Sequence, residues 1–259
     1  MIDLGSLFDS YNRQARLYPA LIALLPPLIT VLAWYPVLLT SNATATAVTL
    51  VTSCGLLYSF MAFSRSRGKN VERRLLADWG GWPTTLWLRH ADSSLSEQTK
   101  ARYHAALGVH VPNLSLPSSA EEKADPRRAD DAYRSAVDWL KERCRGKDFP
   151  LVAIENAEYG FRCNLRGLRS FGMSVALLAL LASLFGVWRL SGLASGDLRT
   201  GNWVEVLERI AQAPPVLIWG AVVVDIVTIV FWILVVRDSW VRQAGDQYAR
   251  ALLATCDRL

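Results

Sequence analysis

Four apolar segments, 19–40, 44–63, 172–188 and 215–236, constrain this chain more than any other feature. Each holds close to the ~20 mostly apolar residues that a helix needs to cross a ~30 Å hydrocarbon core. The stretch between the second and third, 64–171, has ordinary soluble composition. The pattern predicts an all-α polytopic membrane protein with four transmembrane helices. They form two hairpins, with a helical cytosolic insert between spans two and three. The expected domains are an N-terminal interfacial helix (1–18), hairpin one (19–63), the cytosolic domain (64–171), hairpin two (172–236, with exterior loop 189–214) and a cytosolic C-terminal helix (237–259).

Composition agrees with that class. The chain has 259 residues, 52% of them hydrophobic and only 20% charged. Long apolar runs, not a uniformly greasy composition, account for the imbalance. Residues 1–18 carry Asp3, Asp9, Arg13 and Arg16 ahead of an apolar run too long for a cleavable leader. Cys54, Cys144, Cys163 and Cys256 show no pairing pattern and are expected to be free.

Charge sets the expected orientation. Lys and Arg outnumber Asp and Glu by 19 to 14 in segment 64–171, with Arg65, Arg67 and Lys69 after span two and Arg162, Arg166 and Arg169 before span three. The loop around Thr40–Thr46 is uncharged, and 189–214 holds three Arg against three acids. Basic residues near span ends stay cytoplasmic, so both termini and the insert are expected in the cytoplasm of a bacterial inner membrane.

Within the insert, the Ser94–Glu97 spacing predicts a capping box opening a helix to about Leu107, stopped by Gly108. Residues 109–128 read as a loop. A second helix is expected over about 130–145, with Tyr133, Ala136, Val137 and Leu140 inward. A third starts near Pro150 with a heptad-like stripe, Leu151, Ile154, Glu158, Phe161, Leu165 and Leu168, and leads directly into span three. Gly80-Gly81-Trp82-Pro83 breaks the helix that follows span two. Trp79, Trp82 and Trp87 around that turn are expected in a core. In span three, Ala179/Ser183 and Ala182/Gly186 are small residues four apart, suited to close helix approach.

Asp225 is the sharpest candidate residue, near the midpoint of span four with Thr228 one turn away. An acid at that depth costs ~2.5–3.5 kcal/mol on insertion scales and is a functional-site hypothesis by default. It is either a pore-lining or proton-carrying carboxylate, or a polar clamp in which a protonated Asp bonds Tyr58, Ser53 or Ser183. The second candidate is a juxtamembrane row: Glu155, Glu158, Arg162, Arg166 and Arg169. It reads as a lipid-headgroup anchor or as a helix coupling the insert to span three. A third is an anionic-ligand patch of Arg127, Arg128, Arg143, Arg145 and Lys147. No cofactor, metal site or duplex nucleic acid is expected. His90, His104 and His110 form no metal or catalytic motif, and no GxSxG or HExxH stands in the chain, so enzymatic activity is not expected.

This order of two spans, helical insert and two spans resembles the four-span effectors of bacterial antiphage operons that carry cyclic-oligonucleotide synthases. The Gly80–Pro83 turn and the Glu155–Arg169 stretch resemble segments of bacterial inner-membrane proteins. The effector resemblance implies a homo-oligomer that forms or gates a membrane passage when triggered. The alternative expectation is a non-conducting anchor or accessory subunit whose cytosolic helices recruit a protein partner. A transporter subunit is a third class, disfavoured because no repeat relates the two hairpins.

Overall fold

The computed structural model describes residues 10–39, 42, 45–48, 55–145, 148–193, 203–212 and 214–259. Among them there is no strand, and the protein is all-helical as the periodicity predicts. In chain order the helices are α1 (Ser10–Trp34), α2 (Leu56–Trp79), α3 (Pro83–Leu86), α4 (Glu97–His110), α5 (Ser119–Ala124), α6 (Pro126–Arg143), α7 (Pro150–Gly167), α8 (Arg169–Leu190), α9 (Trp203–Gln212), α10 (Val216–Leu234) and α11 (Asp238–Leu253).

Three of these, α1, α8 and α10, are long and apolar enough to cross a membrane. Of the expected second span, 44–63, residues 44 and 49–54 lie outside the described residues. Its described end, from Leu56, opens α2, whose later turns are rich in Arg and Lys. In α1, Pro19 has no N–H to give the carbonyl four residues back, a local reason for the π turn at Arg13–Leu17. The helix then continues through Pro26 and Pro27 to Trp34.

The chain divides into two compact units. One comprises the chain up to Ala15, Gly68–Cys163 and Asp238–Leu259; the other comprises Arg16–Arg67 and Asn164–Arg237. The core of the first unit is centred on α6, whose Tyr133, Ala136, Val137 and Leu140 are buried as their spacing predicts. Around them pack Leu86, Trp87 and Leu88, then Tyr103 and Leu107 of α4, and Tyr248, Ala249, Leu252 and Leu253 of α11. A smaller cluster joins Leu75, Tyr159, Cys163, Val241 and Ala244, with Trp79 and Trp82 against it. The C-terminal helix is thus part of the core of the first unit. Cys144, Cys163 and Cys256 are free and buried; Cys54 lies outside the described residues.

Several local expectations are corrected. Ser96, not Ser94, caps α4, accepting from the Thr99 N–H, because the Ser94 N–H is committed to Asp92 in a turn. The helix also runs past Gly108 to His110. The expected loop 109–128 contains α5, opened by a capping box in which Ser118 and Glu121 bond each other's backbone N–H. Then Pro126 stands at the start of α6, where a missing donor costs nothing. On α7 Val152, Ala157, Tyr159, Cys163 and Leu165 are buried; of the heptad stripe, Leu165 and Leu168 are fully buried as expected, while Leu151 and Ile154 are 57% and 56% exposed. As expected, α7 leads directly into the apolar helix α8, with Leu168 alone as a turn residue between them.

In the second unit, α1, α8 and α10 pack together. Close approach to α8 is made at Gly172, Ala176, Ala179, Ser183 and Gly186, all buried. Ala182, expected in that face, is exposed. Outward lie Leu28, Leu178, Leu181, Val223 and Val227.

Candidate functional site

Asp225 sits at the middle of α10 and is 0% exposed. Its helix turns it away from Val223 and Val227, which face outward, and toward α1 and α8. There Ser183 Oγ of α8 donates to Asp225 Oδ2 at 2.9 Å. Thr30 Oγ1 of α1 lies 3.4 Å from the same oxygen and 3.2 Å from Ser183 Oγ. Each hydroxyl has a single proton. Ser183 spends its proton on the carboxylate, so Thr30 divides its own between Oδ2 and Ser183. Asp225 Oδ1 is buried and has no hydrogen-bond partner among the described residues.

The site therefore draws one polar side chain from each of three helices. Of the clamp partners the sequence suggests, Ser183 is present. Tyr58 is an exposed residue, and Ser53 lies outside the described residues. Thr30 is the partner that periodicity misses. Its one legible signal is a hydroxyl in an apolar run, one turn after Pro26. Thr228 does not join the group: its Oγ1 donates to the Val224 carbonyl of its own helix at 2.8 Å.

The juxtamembrane row separates. Glu158 and Arg162 form the expected i,i+4 pair at 2.7 Å, and Gln14 Nε2 donates to the other Glu158 oxygen at 3.3 Å. Arg162 also donates to the Trp240 carbonyl at 2.9 Å, with its guanidinium 4.8 Å from the centre of the Trp240 ring. Arg162 belongs to the first unit; Arg166 and Arg169 belong to the second. Glu155 is half-buried on α7.

The anionic-ligand patch is two patches. Arg127 and Arg128 stand in the first turn of α6 and Arg143 in its last. At 1.5 Å per residue they are about 23 Å apart along the axis. Arg145 is paired with Glu142 at 2.8 Å, and Lys147 lies outside the described residues.

A further polar cluster, unforeseen in the sequence, holds the irregular segment after α3. Glu122 is buried and accepts from the backbone N–H groups of His90 and Ala91 at 2.8 and 3.1 Å, and from the Tyr133 hydroxyl at 2.7 Å. Burial opposes its charge, but these three donors outweigh burial and hold the carboxyl below its ordinary range. Burial and the Glu122 charge push the Tyr133 hydroxyl up. Lys100, 1% exposed, donates to the carbonyls of His90 and Asp92. His104 contacts the Leu88 carbonyl at 2.8 Å, and burial lowers its tendency to take a proton. Glu122, Lys100 and His104 serve the backbone and Tyr133 supports Glu122, which is the work of a structural network.

Comparison with protein-family models, with curated proteins and with solved structures returns no match, so the reading of the Asp225 group rests on its own chemistry.

Proposed function

We propose that this chain is a four-span anchor in a bacterial inner membrane, with both termini and the soluble helical unit on the cytoplasmic side. It holds that unit at the membrane to recruit a protein partner and does not itself conduct. The second span in this reading is 44–63, and the orientation follows the excess of Lys and Arg in 64–171.

One observation carries the non-conducting reading. The single mid-helix acid is enclosed, 0% exposed, with Oδ2 engaged by hydroxyls from two neighbouring helices. Such a carboxylate ties helices together. A pore-lining acid would face water. The outward side chains of the same helices, Leu178 at 66% and Leu181 at 63% exposure among them, are suited to lipid.

A second reading keeps the passage. The same apolar faces also fit further copies of the chain, and a homo-oligomer of the antiphage-effector kind would place its path between copies. Reconstitution in liposomes separates the two. The anchor reading expects no dye or ion leak at any protein density and a stoichiometric partner recovered from the native membrane. Leak rising steeply with protein density, together with cross-linked oligomers, would replace it with the passage reading.

A further inference from the structure

We propose that Asp225, Ser183 and Thr30 form a binding site for a small monovalent cation, sodium, which locks α1, α8 and α10 together. The inference rests on the preceding reading in placing these helices in the bilayer, and goes beyond it in assigning the site a ligand.

Charge is the first argument. A buried carboxylate is stable only when paired, coordinated to a metal or neutralised. Among the described residues no Lys, Arg or His pairs with Asp225. The basic residues of α8, Arg169 and Arg189, stand at its two ends. α10 contains none, and α1 carries Arg13 and Arg16 only in its opening turns. One uncompensated carboxylate calls for one positive charge, which a monovalent ion supplies as a proton does, and excludes a divalent ion; the donor set distinguishes the ion from the proton.

Donor geometry is the second. Oxygen ligands at right angles around a hard cation, with bonds of about 2.3–2.6 Å, stand about 3.3–3.7 Å apart. Thr30 Oγ1 is 3.2 Å from Ser183 Oγ and 3.4 Å from Asp225 Oδ2. The third edge, Ser183 Oγ to Asp225 Oδ2, is closed to 2.9 Å by their hydrogen bond, so sodium would take the place of that bond and open the triangle by a few tenths of an ångström, whereas potassium would need a wider opening. All three oxygens are hard donors, and there is no sulfur or imidazole among them.

Third, Asp225 Oδ1 is buried with no partner, although buried carboxylate oxygens are nearly always satisfied. The two hydroxyls supply protons to the Oδ2 side and keep lone pairs free for an ion. Oδ1 provides the remaining negative donor. Sodium bound here would contact all three helices at once, so its binding energy would appear as packing stability of the second unit.

The test uses the full chain in nanodiscs. Asp225 is labelled with N,N′-dicyclohexylcarbodiimide, which attacks a carboxylic acid in an apolar setting, and labelling is followed by mass spectrometry. Thermal unfolding is measured in parallel. Sodium, potassium and choline chlorides are compared at equal ionic strength. Sodium should slow labelling saturably and raise Tm, and the other two should not. Ser183→Ala should shift the sodium dependence of both readouts about tenfold upward, one decade of Kd for one oxygen ligand. Asp225→Asn should lose the Tm response.

Labelling that falls with pH but is indifferent to sodium would overturn the proposal in favour of a proton alone. No labelling and no sodium-dependent Tm would overturn it in favour of a closed hydrogen-bonded clamp. Because the wild-type titration and Ser183→Ala both bear on the claim, a failure of Asp225→Asn to fold leaves it decidable. Either negative result leaves the anchor reading standing. Release of the chain from membranes by alkaline carbonate would remove both.

Discussion

The Trp232 indole lies against Gly172 so closely that a Cβ on Gly172 would stand 2.2 Å from its Cζ2. Trp232 is 0% exposed and Gly172 is buried at the start of α8. The same device recurs near the other end of α8, where a Cβ on Gly186 would come within 3.0 Å of Trp34. Two large rings, one from α10 and one from α1, thus fill hollows that only glycine leaves. Between them along α8 stands Ser183, bonded to Asp225.

Gly172→Ala should therefore destabilise the second unit despite the better helix propensity of Ala. The added methyl must displace a buried ring with little room to move, and overpacking of this kind costs about 1–3 kcal/mol. Gly220→Ala is the control. It lies on α10, is exposed, and has nothing within 4 Å of its Cβ position, so it should be neutral or slightly stabilising. Thermal unfolding of both variants in the same detergent checks the contrast; equal Tm values would refute the close packing.

In the first unit, Glu122→Ala should be more damaging than Tyr133→Phe. The first change leaves the buried Tyr133 phenol without its acceptor, at about 1–3 kcal/mol, and also strips two backbone N–H groups of theirs. The second removes one donor and leaves Glu122 with the His90 and Ala91 N–H groups. Urea unfolding should rank the variants in that order. Hydrogen exchange should show the His90 and Ala91 amides losing protection first in Glu122→Ala.

Acid should weaken the first unit in two stages. His104 is held below its ordinary value of 6.5 by burial. The unfolded chain therefore takes up a proton that the folded one refuses, and stability falls as pH drops below about 6.5. Glu122 is held below 4.5, so its contribution is complete above that value and is lost as pH falls through the depressed folded one. His104→Gln should flatten the first stage and keep the second. Stability curves between pH 8 and pH 3 decide this, and a first stage unchanged in His104→Gln would assign it elsewhere.

Much of this architecture is legible in the residues. Long apolar runs identify α1, α8 and α10, and the 3.6-residue period of Tyr133, Ala136, Val137 and Leu140 identifies the inner face of α6. What stays hidden is whatever depends on distant partners. Leu151 and Ile154 satisfy a heptad yet are exposed, because Val152, Tyr159 and Cys163 meet the other elements of their unit. Spacing records that a helix has an apolar stripe and not which side meets a neighbour. Thr30 is separated from Asp225 by 195 positions, so nothing local marks it as a partner. Helix α5 is a different case. The Ser118–Glu121 box is written in the sequence, but the surrounding prolines and serines mask it.

Arg162 gives the last prediction, one that a lipid-anchoring role would not share. It bonds Glu158, donates to the Trp240 carbonyl and covers the Trp240 ring, with Phe161 edge-on to that ring at 6.0 Å. A guanidinium over an indole is worth about 0.5–1 kcal/mol when exposed and about 2 when desolvated; this one is mostly buried. Arg162→Lys keeps the charge but loses the planar fork that reaches both the carboxylate and the carbonyl. In a double-mutant cycle, Arg162→Ala and Trp240→Leu should couple by about 0.5–3 kcal/mol, the range for residues in direct contact. Arg162→Lys should recover only part of it. Additive effects of the two single variants, with vesicle binding lost in Arg162→Ala alone, would instead return Arg162 to the headgroup role.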